Sequence, residues 1–266
     1  MKDLVLLKIG GSVITDKKKA FTENRKAINR LSKEIRKGYN PRRMKLILIH
    51  GAGSFGHHMV HKNKIHKGIR NSKQLVDFAE TQTVQNRFNA MVTESLQSQR
   101  IPAIPILASS TAVMHNIRLK HMCLDGVKEL LKIGMVPVLY GVPAVDTKQK
   151  CSILSGDMIM SWIGKELKPD KIIHATDVDG IYTADPKRSR KAKLIKEITL
   201  EDWRKIKNGL TGSSSVDVTG GMFLKVSEMI TLAKLGISSQ FINASRAGNV
   251  EKALKGKKVK GTLIKA

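Results

Sequence analysis

Leu4-Val5-Leu6-Leu7-Lys8-Ile9-Gly10-Gly11-Ser12 is an apolar strand that stops on two glycines and a serine. The pattern recurs at residues 44–50, Met-Lys-Leu-Ile-Leu-Ile-His, which run into Gly51-Ala52-Gly53-Ser54-Phe55-Gly56. Further strands are expected at 103–107, 136–140, 171–175 and 240–243. Helices are expected at 23–37, where Ala27, Ile28, Leu31 and Ile35 share one face, and at 72–100, 124–132, 157–167 and 221–235. Continuously apolar strands are buried on both faces, and strands that alternate with helices run parallel. The expected fold is a three-layer αβα sandwich around an open, mainly parallel sheet.

Composition agrees with a folded domain. Of 266 residues, 41% are hydrophobic, 4% aromatic and 26% charged, too many aliphatics for disorder. The longest apolar run, 136–145, is interrupted by Pro137, Gly141 and Pro143 and is far short of the roughly 20 residues of a membrane span. The first residues read as a strand and not as a signal peptide. Cys123 and Cys151 have no metal-like spacing, so a reducing cytoplasm is the simple expectation. The 8 histidines come without a cysteine cluster, so no metal ligands from the protein are expected. Lys+Arg number 48 against 22 Asp+Glu, a formal charge of +26 that attracts anions. These cations are spread along the whole chain and few aromatic platforms accompany them. A solvated basic surface is favoured over a specific nucleic-acid partner.

In a fold of this class the ligand sits beyond the carboxyl ends of the strands. Glycine-rich segments stand at such places: Gly10-Gly11-Ser12, Gly51 to Gly56, Ser155-Gly156-Asp157, Asp177-Val178-Asp179-Gly180 and Thr219-Gly220-Gly221. Glycine lets the backbone approach an anion, and helix N-termini present free N–H groups to it. Each segment taken alone also reads as a tight turn. Gly51 to Gly56 has the form G-x-G-x-x-G with Asp77 downstream, but it follows the second strand unit, which argues against a dinucleotide site. The P-loop and protein-kinase motifs are absent.

Together, Lys8-Ile9-Gly10-Gly11-Ser12, Asp177-Val178-Asp179-Gly180-Ile181-Tyr182 with Asp185-Pro186, and Thr219-Gly220-Gly221-Met222 resemble the amino acid kinase superfamily over nearly the whole chain. The resemblance implies one domain over 1–266, with an acceptor-binding half at 1–150 and an ATP-binding half at 151–266. The composition shift near 146–150 falls at that division. In the first half, Gly10 to Lys17 and His50-Gly51-Ala52-Gly53-Ser54-Phe55-Gly56-His57 look like the isopentenyl phosphate kinase branch. Two departures stand out: the usual triple glycine reads Gly51-Ala52-Gly53, and the usual Gly-Asp-Asp reads Gly156-Asp157-Met158.

That resemblance implies ATP with Mg2+, isopentenyl phosphate as acceptor, isopentenyl diphosphate as product for isoprenoid synthesis, and a cytoplasmic homodimer. It implies Lys8, Lys17 and His57 as catalytic. Ala52, His57 and Gly156 would meet the acceptor. Lys8, Gly10, Gly11, Ser12, Gly53, Asp177, Gly221 and Lys225 would meet ATP, with Asp157 in support. The apolar side chains of 72–96, among them Phe78, Val84 and Phe88, are expected against the acceptor's carbon chain or in the core. Other readings stay open. Lys17 begins the run Lys17-Lys18-Lys19, which by itself reads as a solvated loop, and His57 has His58, His61 and His66 near it. Asp157 also reads as a helix cap, and Asp177 as the orderer of its own turn. The rivals are a kinase of the same superfamily for another small acid or a phosphonate, and a nucleic-acid-binding protein on an inactive kinase fold.

Overall fold

The computed structural model describes residues 2–16, 19–186, 189–210 and 221–266, with backbone only for 206–210 and 221. In chain order the elements are β1 (Asp3–Ile9), α1 (Gly11–Ile14), α2 (Arg25–Gly38), β2 (Met44–His50), α3 (Gly53–Asn63), α4 (Ser72–Gln97), β3 (Ala103–Pro105), α5 (Ala108–Thr111) and β4 (Ala112–His115). There follow β5 (Arg118–Met122), α6 (Asp125–Lys132), β6 (Val136–Tyr140), β7 (Val142–Asp146), β8 (Lys150–Leu154), α7 (Gly156–Leu167) and β9 (Lys171–Thr176). The chain then forms β10 (Ile181–Tyr182), β11 (Leu194–Ile195), β12 (Glu197–Ile198), α8 (Leu200–Leu210), α9 (Gly221–Ala233), β13 (Ser239–Asn243), α10 (Asn249–Leu254) and β14 (Gly261–Ile264).

The main sheet runs in the order β12-β14-β13-β9-β1-β2-β6-β3. It is parallel except where β13 meets β14. Alternation within each strand divides its side chains between two cores. Leu6, Ile47, Ile49, Ile172 and Phe241 face α7 and α9, while Val5, Leu7, Leu46, Leu48 and Ile173 face α2, α4 and α10. The expected three-layer sandwich is the observed one. Side-chain caps fix several helix starts: Asn24 accepts from Ala27 N, Asn71 from Gln74 N and Ser155 from Met158 N.

One local reading needs correction, and two other stretches take a definite form. The glycine segment 51–56 is not all loop, because α3 begins at Gly53. The run 136–145 is two strands broken at Gly141, and β7 joins β5, β4 and β8 in a separate 4-stranded sheet. Residues 146–150, where composition shifts, form the turn of the β7–β8 hairpin. There the buried Asp146 carboxylate accepts from the backbone N–H groups of Asn116, Ile117, Lys148 and Gln149. Burial would raise its pKa, but these donors hold it down at about 2.

What positions the site is a seam of backbone contacts just past the strand ends. Gly10 N donates to Ala175 O, Gly51 N to Ile9 O, and Gly141 N to His50 O. These bonds carry the sheet one residue beyond β1, β2 and β6. A Cβ on Gly11 would lie 2.5 Å from Gly53 N, and one on Gly51 2.6 Å from Gly11 N. Gly53 itself has φ +55, with the Thr15 side chain where its Cβ would go. Ala52 has φ −63 and ψ −25, an ordinary right-handed conformation that does not require glycine. Its methyl occupies space that a Cβ on Gly56 would enter at 2.4 Å.

Gly11→Ala is therefore expected to destabilise the fold by about 1–3 kcal/mol, because its new methyl meets backbone that cannot rotate aside. Gly126→Ala in α6, where a Cβ meets nothing within 4 Å, should be neutral or stabilising by up to about 1 kcal/mol. Urea unfolding of the two variants checks the contrast.

Candidate active site

β1, β2 and β9 end at one level, with Ile9 paired to both His50 and Ala175. α1, α3 and α7 begin just beyond strand ends, so their first-turn N–H groups lack intrahelical acceptors there. Thr15 ties two of these loops together: its Oγ1 donates to Gly11 O at 2.8 Å and accepts from Ser54 N at 3.0 Å. Ser54 in turn exchanges hydrogen bonds with the backbone of Thr22. The segment between Thr15 and Thr22 is thus pinned at both ends against the start of α3. Lys17 belongs to that segment and lies outside the described residues.

At the centre are Lys8, Asp157 and Lys225. Lys8 sits in β1 with its side chain 5% exposed, and its Nζ is 2.6 Å from Asp157 Oδ1. Lys225, from α9, places its Nζ 3.2 Å from Asp157 Oδ2. Burial alone would raise the Asp157 pKa. Lys225 and Lys8, followed by His174, outweigh it and hold the carboxyl below the ordinary carboxylate range. Asp157 is not the cap of α7, since Ser155 takes that role. It is the shared counter-ion of two lysines that are far apart in sequence. Gly156 allows this packing, because a Cβ there would lie 3.1 Å from Lys8 Cε.

His174 completes the cluster and was not among the residues expected from sequence. It lies opposite Lys8 in the β1–β9 pairing and opposite Phe241 in the β9–β13 pairing. Its ring is stacked on Phe241 with centroids 4.4 Å apart, and its Nδ1 is 3.9 Å from Asp157 Oδ1. Burial and then Lys8 push its pKa down to about 3, against the pull of Asp157, so the ring is neutral near pH 7. The available signal was a histidine inside the apolar stretch Lys171-Ile172-Ile173-His174-Ala175.

The remaining expected residues fall around this cluster. Gly10, Gly11 and Ser12 lie at the end of β1 and the start of α1, and Ala52 and Gly53 at the start of α3. His57 is one turn into α3 and half-buried, while His58 is exposed with its edge near Phe21. Asp177 follows β9 directly and is half-buried. Gly221 is the first residue of α9, whereas Thr219 and Gly220 lie outside the described residues. Asp179 has its own task, holding the turn after β9 to that after β13. It takes a two-point bond from Arg246 at 2.7 and 2.9 Å, and also contacts Lys260 and Asn243. Among the described residues no group of three or more His, Cys, Asp or Glu side chains forms a metal cage.

Of the apolar residues in α4, Phe88 is core, fully buried and stacked on Phe55. Val84 packs against the same core. Phe78 instead joins a small separate cluster of Val60, Ile65, Ile69, Cys151 and Ile153.

The sequence profile of the amino acid kinase family matches residues 3–243. The chain is 37% identical to an isopentenyl phosphate kinase of Methanothermobacter thermautotrophicus, with 98% of each chain covered. It is 36% identical to one of Methanocaldococcus jannaschii, again over 98% of each. A crystal structure of an isopentenyl phosphate kinase superposes with a TM-score of 0.85 at 34% identity, covering 98% of this chain and 99% of that one.

Removing one partner from a buried ion pair strands the other charge. Lys8→Met should therefore cost about 3 kcal/mol of stability, the low end of the usual range because Lys225 still faces Asp157. The carboxyl pKa lies below the ordinary aspartate value of 3.8 in the folded protein. The ion-pair contribution is thus present above that pH and lost as pH falls through the lower folded value. Unfolding curves of the two proteins should be separated by a constant gap from about pH 8 to pH 5, and converge in stronger acid.

Proposed function

We propose that this chain, which belongs to the amino acid kinase family, transfers the γ-phosphoryl group of ATP to isopentenyl phosphate, giving isopentenyl diphosphate and ADP. The observation that carries the reading is the state of Asp157. The carboxylate at the centre of the site is ionised and bound by two lysines, so it does not serve as a base. A phosphate monoester needs none, because its second pKa is about 6 and it is already largely dianionic at pH 7. The obstacle is repulsion between two anions, which a cationic site relieves.

Lys8 and Lys225 stabilise the negative charge on the phosphoryl group in flight and on the ATP phosphates. Lys17 adds a further cation from the segment anchored by Thr15 and Thr22. The first-turn amides of α1 and α3, with Gly10, Gly11, Ser12, Ala52 and Gly53 at or beside them, receive phosphate oxygens. His57 donates to the acceptor phosphate, with Gly156 beside it. Asp177 and Gly221 belong to the nucleotide side, so that 1–150 binds acceptor and 151–266 binds ATP within one domain. The five-carbon chain goes to the apolar cluster around Phe78, Val60 and Ile153. Mg2+, which neutralises phosphate oxygens when bound, would be held mainly by the phosphates themselves. The reading extends to a cytoplasmic homodimer, supported by family resemblance. Cys123 and Cys151 are unbridged, and no helix among the described residues is long and apolar enough to cross a membrane.

A coupled ADP-release assay tests the reaction, with isopentenyl phosphate run against glutamate, uridylate and fosfomycin. Isopentenyl phosphate should be turned over with much the highest kcat/KM. A preference for any of the other three refutes the acceptor assignment. Within the same assay, His57→Ala should raise KM for isopentenyl phosphate and lower kcat, a combined loss of roughly ten- to a hundredfold in kcat/KM. KM for ATP should move little, His57→Gln should recover part of the loss, and His58→Ala should be mild. Unchanged acceptor kinetics in His57→Ala would remove His57 from the site.

A further inference from the structure

His174 has no role in the assignment above, yet its placement is costly. Its neighbours in β9 are Ile172, Ile173 and Ala175, and the ring is 1% exposed. An aliphatic side chain would fill the position without loss, whereas a buried polar group without a hydrogen bond costs stability. Its Nε2 is buried and meets no hydrogen-bond partner among the described residues. Its Nδ1 faces Asp157 at 3.9 Å, too far for a hydrogen bond but about one ångström from making one. Such an exception in a packed interior calls for an explanation.

The explanation lies in what substrates do to Asp157. In the structure Lys8 and Lys225 both reach this carboxylate, at 2.6 and 3.2 Å. Catalysis on the reading proposed above requires the same two ammonium groups to serve phosphate oxygens. Each ammonium has three N–H donors, and as some of them turn to phosphate oxygens the two lysines are shared between phosphate and the buried Asp157, which loosens their hold on it. A further group that faces it is His174 Nδ1, 3.9 Å away. The carboxylate favours the tautomer with the proton on that nitrogen, leaving Nε2 as a bare acceptor, which is the cheaper atom to bury unpaired. The stack on Phe241 fixes the ring plane, so closing the gap needs only a small shift of either side chain.

We propose that His174 is a positioning residue that takes over Asp157 when the lysines turn to the phosphates, keeping the carboxylate in place between them. Lys8, Lys225 and Asp157 are the charged groups that act on the ring. In the free enzyme His174 is a spectator, and in the ternary complex it is a hydrogen-bond donor.

The inference rests on the kinase reading but is separable from it. His174→Leu removes the donor while suiting an apolar strand, and should lower kcat roughly ten- to a hundredfold with both KM values within about twofold. His174→Asn places an N–H near the position of Nδ1 and should recover most of the loss. His174→Gln, whose amide falls near Nε2, should not. Nitrogen-edited NMR of the histidine rings supplies a readout that packing alone does not move. In the free protein Nδ1 should carry the proton, and its resonance should move downfield on saturation with a non-hydrolysable ATP analogue and isopentenyl phosphate. An Nε2-protonated ring, an unchanged resonance in the complex, or full kcat in His174→Leu would each overturn the proposal. If wild-type protein fails to phosphorylate isopentenyl phosphate, the acceptor assignment falls. The tautomer and its response to the ATP analogue alone still decide the role of His174.

Discussion

The structure depends on one buried carboxylate held between two lysines. Asp157 stands in the first turn of α7, with Lys8 reaching it from β1 and Lys225 from α9. Without it, two cations would repel each other in a nearly dry interior. Without them, the carboxylate would be driven to protonate. The cluster therefore holds its charges as a set. The charge of the whole chain, +26, extends the attraction for anions outward but does not supply the geometry.

The glycine seam determines where this charge can act. Gly11, Gly51 and Gly53 bring the ends of β1 and β2 so close that their backbones touch. Helix starts and strand ends are thereby gathered into one surface of amides beside the lysines. A single side chain in the seam would push the two loops apart. Ala52 is tolerated because its backbone is ordinary and its methyl turns toward Gly56. This departure from the family's usual triple glycine is thus met by a glycine one turn later.

Much of this was legible in the sequence. The long apolar strands and the amphipathic α2 and α6 announced themselves by periodicity, and the strand-then-glycine pattern at Lys8 to Ser12 pointed to the candidate site, where Lys8 meets Asp157. The beginning of α3 was hidden because Gly53 to Gly56 has the composition of a loop. The side sheet of β4, β5, β7 and β8 was hidden because β4 and β5 are short and partly exposed, while β7 continues the apolar run of β6 past Gly141. Asp157 read as an accessory or a cap, since nothing local reveals two lysines arriving from residues 149 positions before and 68 positions after it. His174 was passed over for the same reason: its meaning comes from the strand register that sets it beside Lys8 and Phe241.

The account holds that Lys8 and Asp157 work as one unit. A double-mutant cycle on the single-turnover rate of phosphoryl transfer tests this most directly, using Lys8→Met, Asp157→Asn and the pair. The account predicts that each single change is severe and that the double variant loses far less than the product of the two losses. Losses that multiply, as for independent sites, would contradict it.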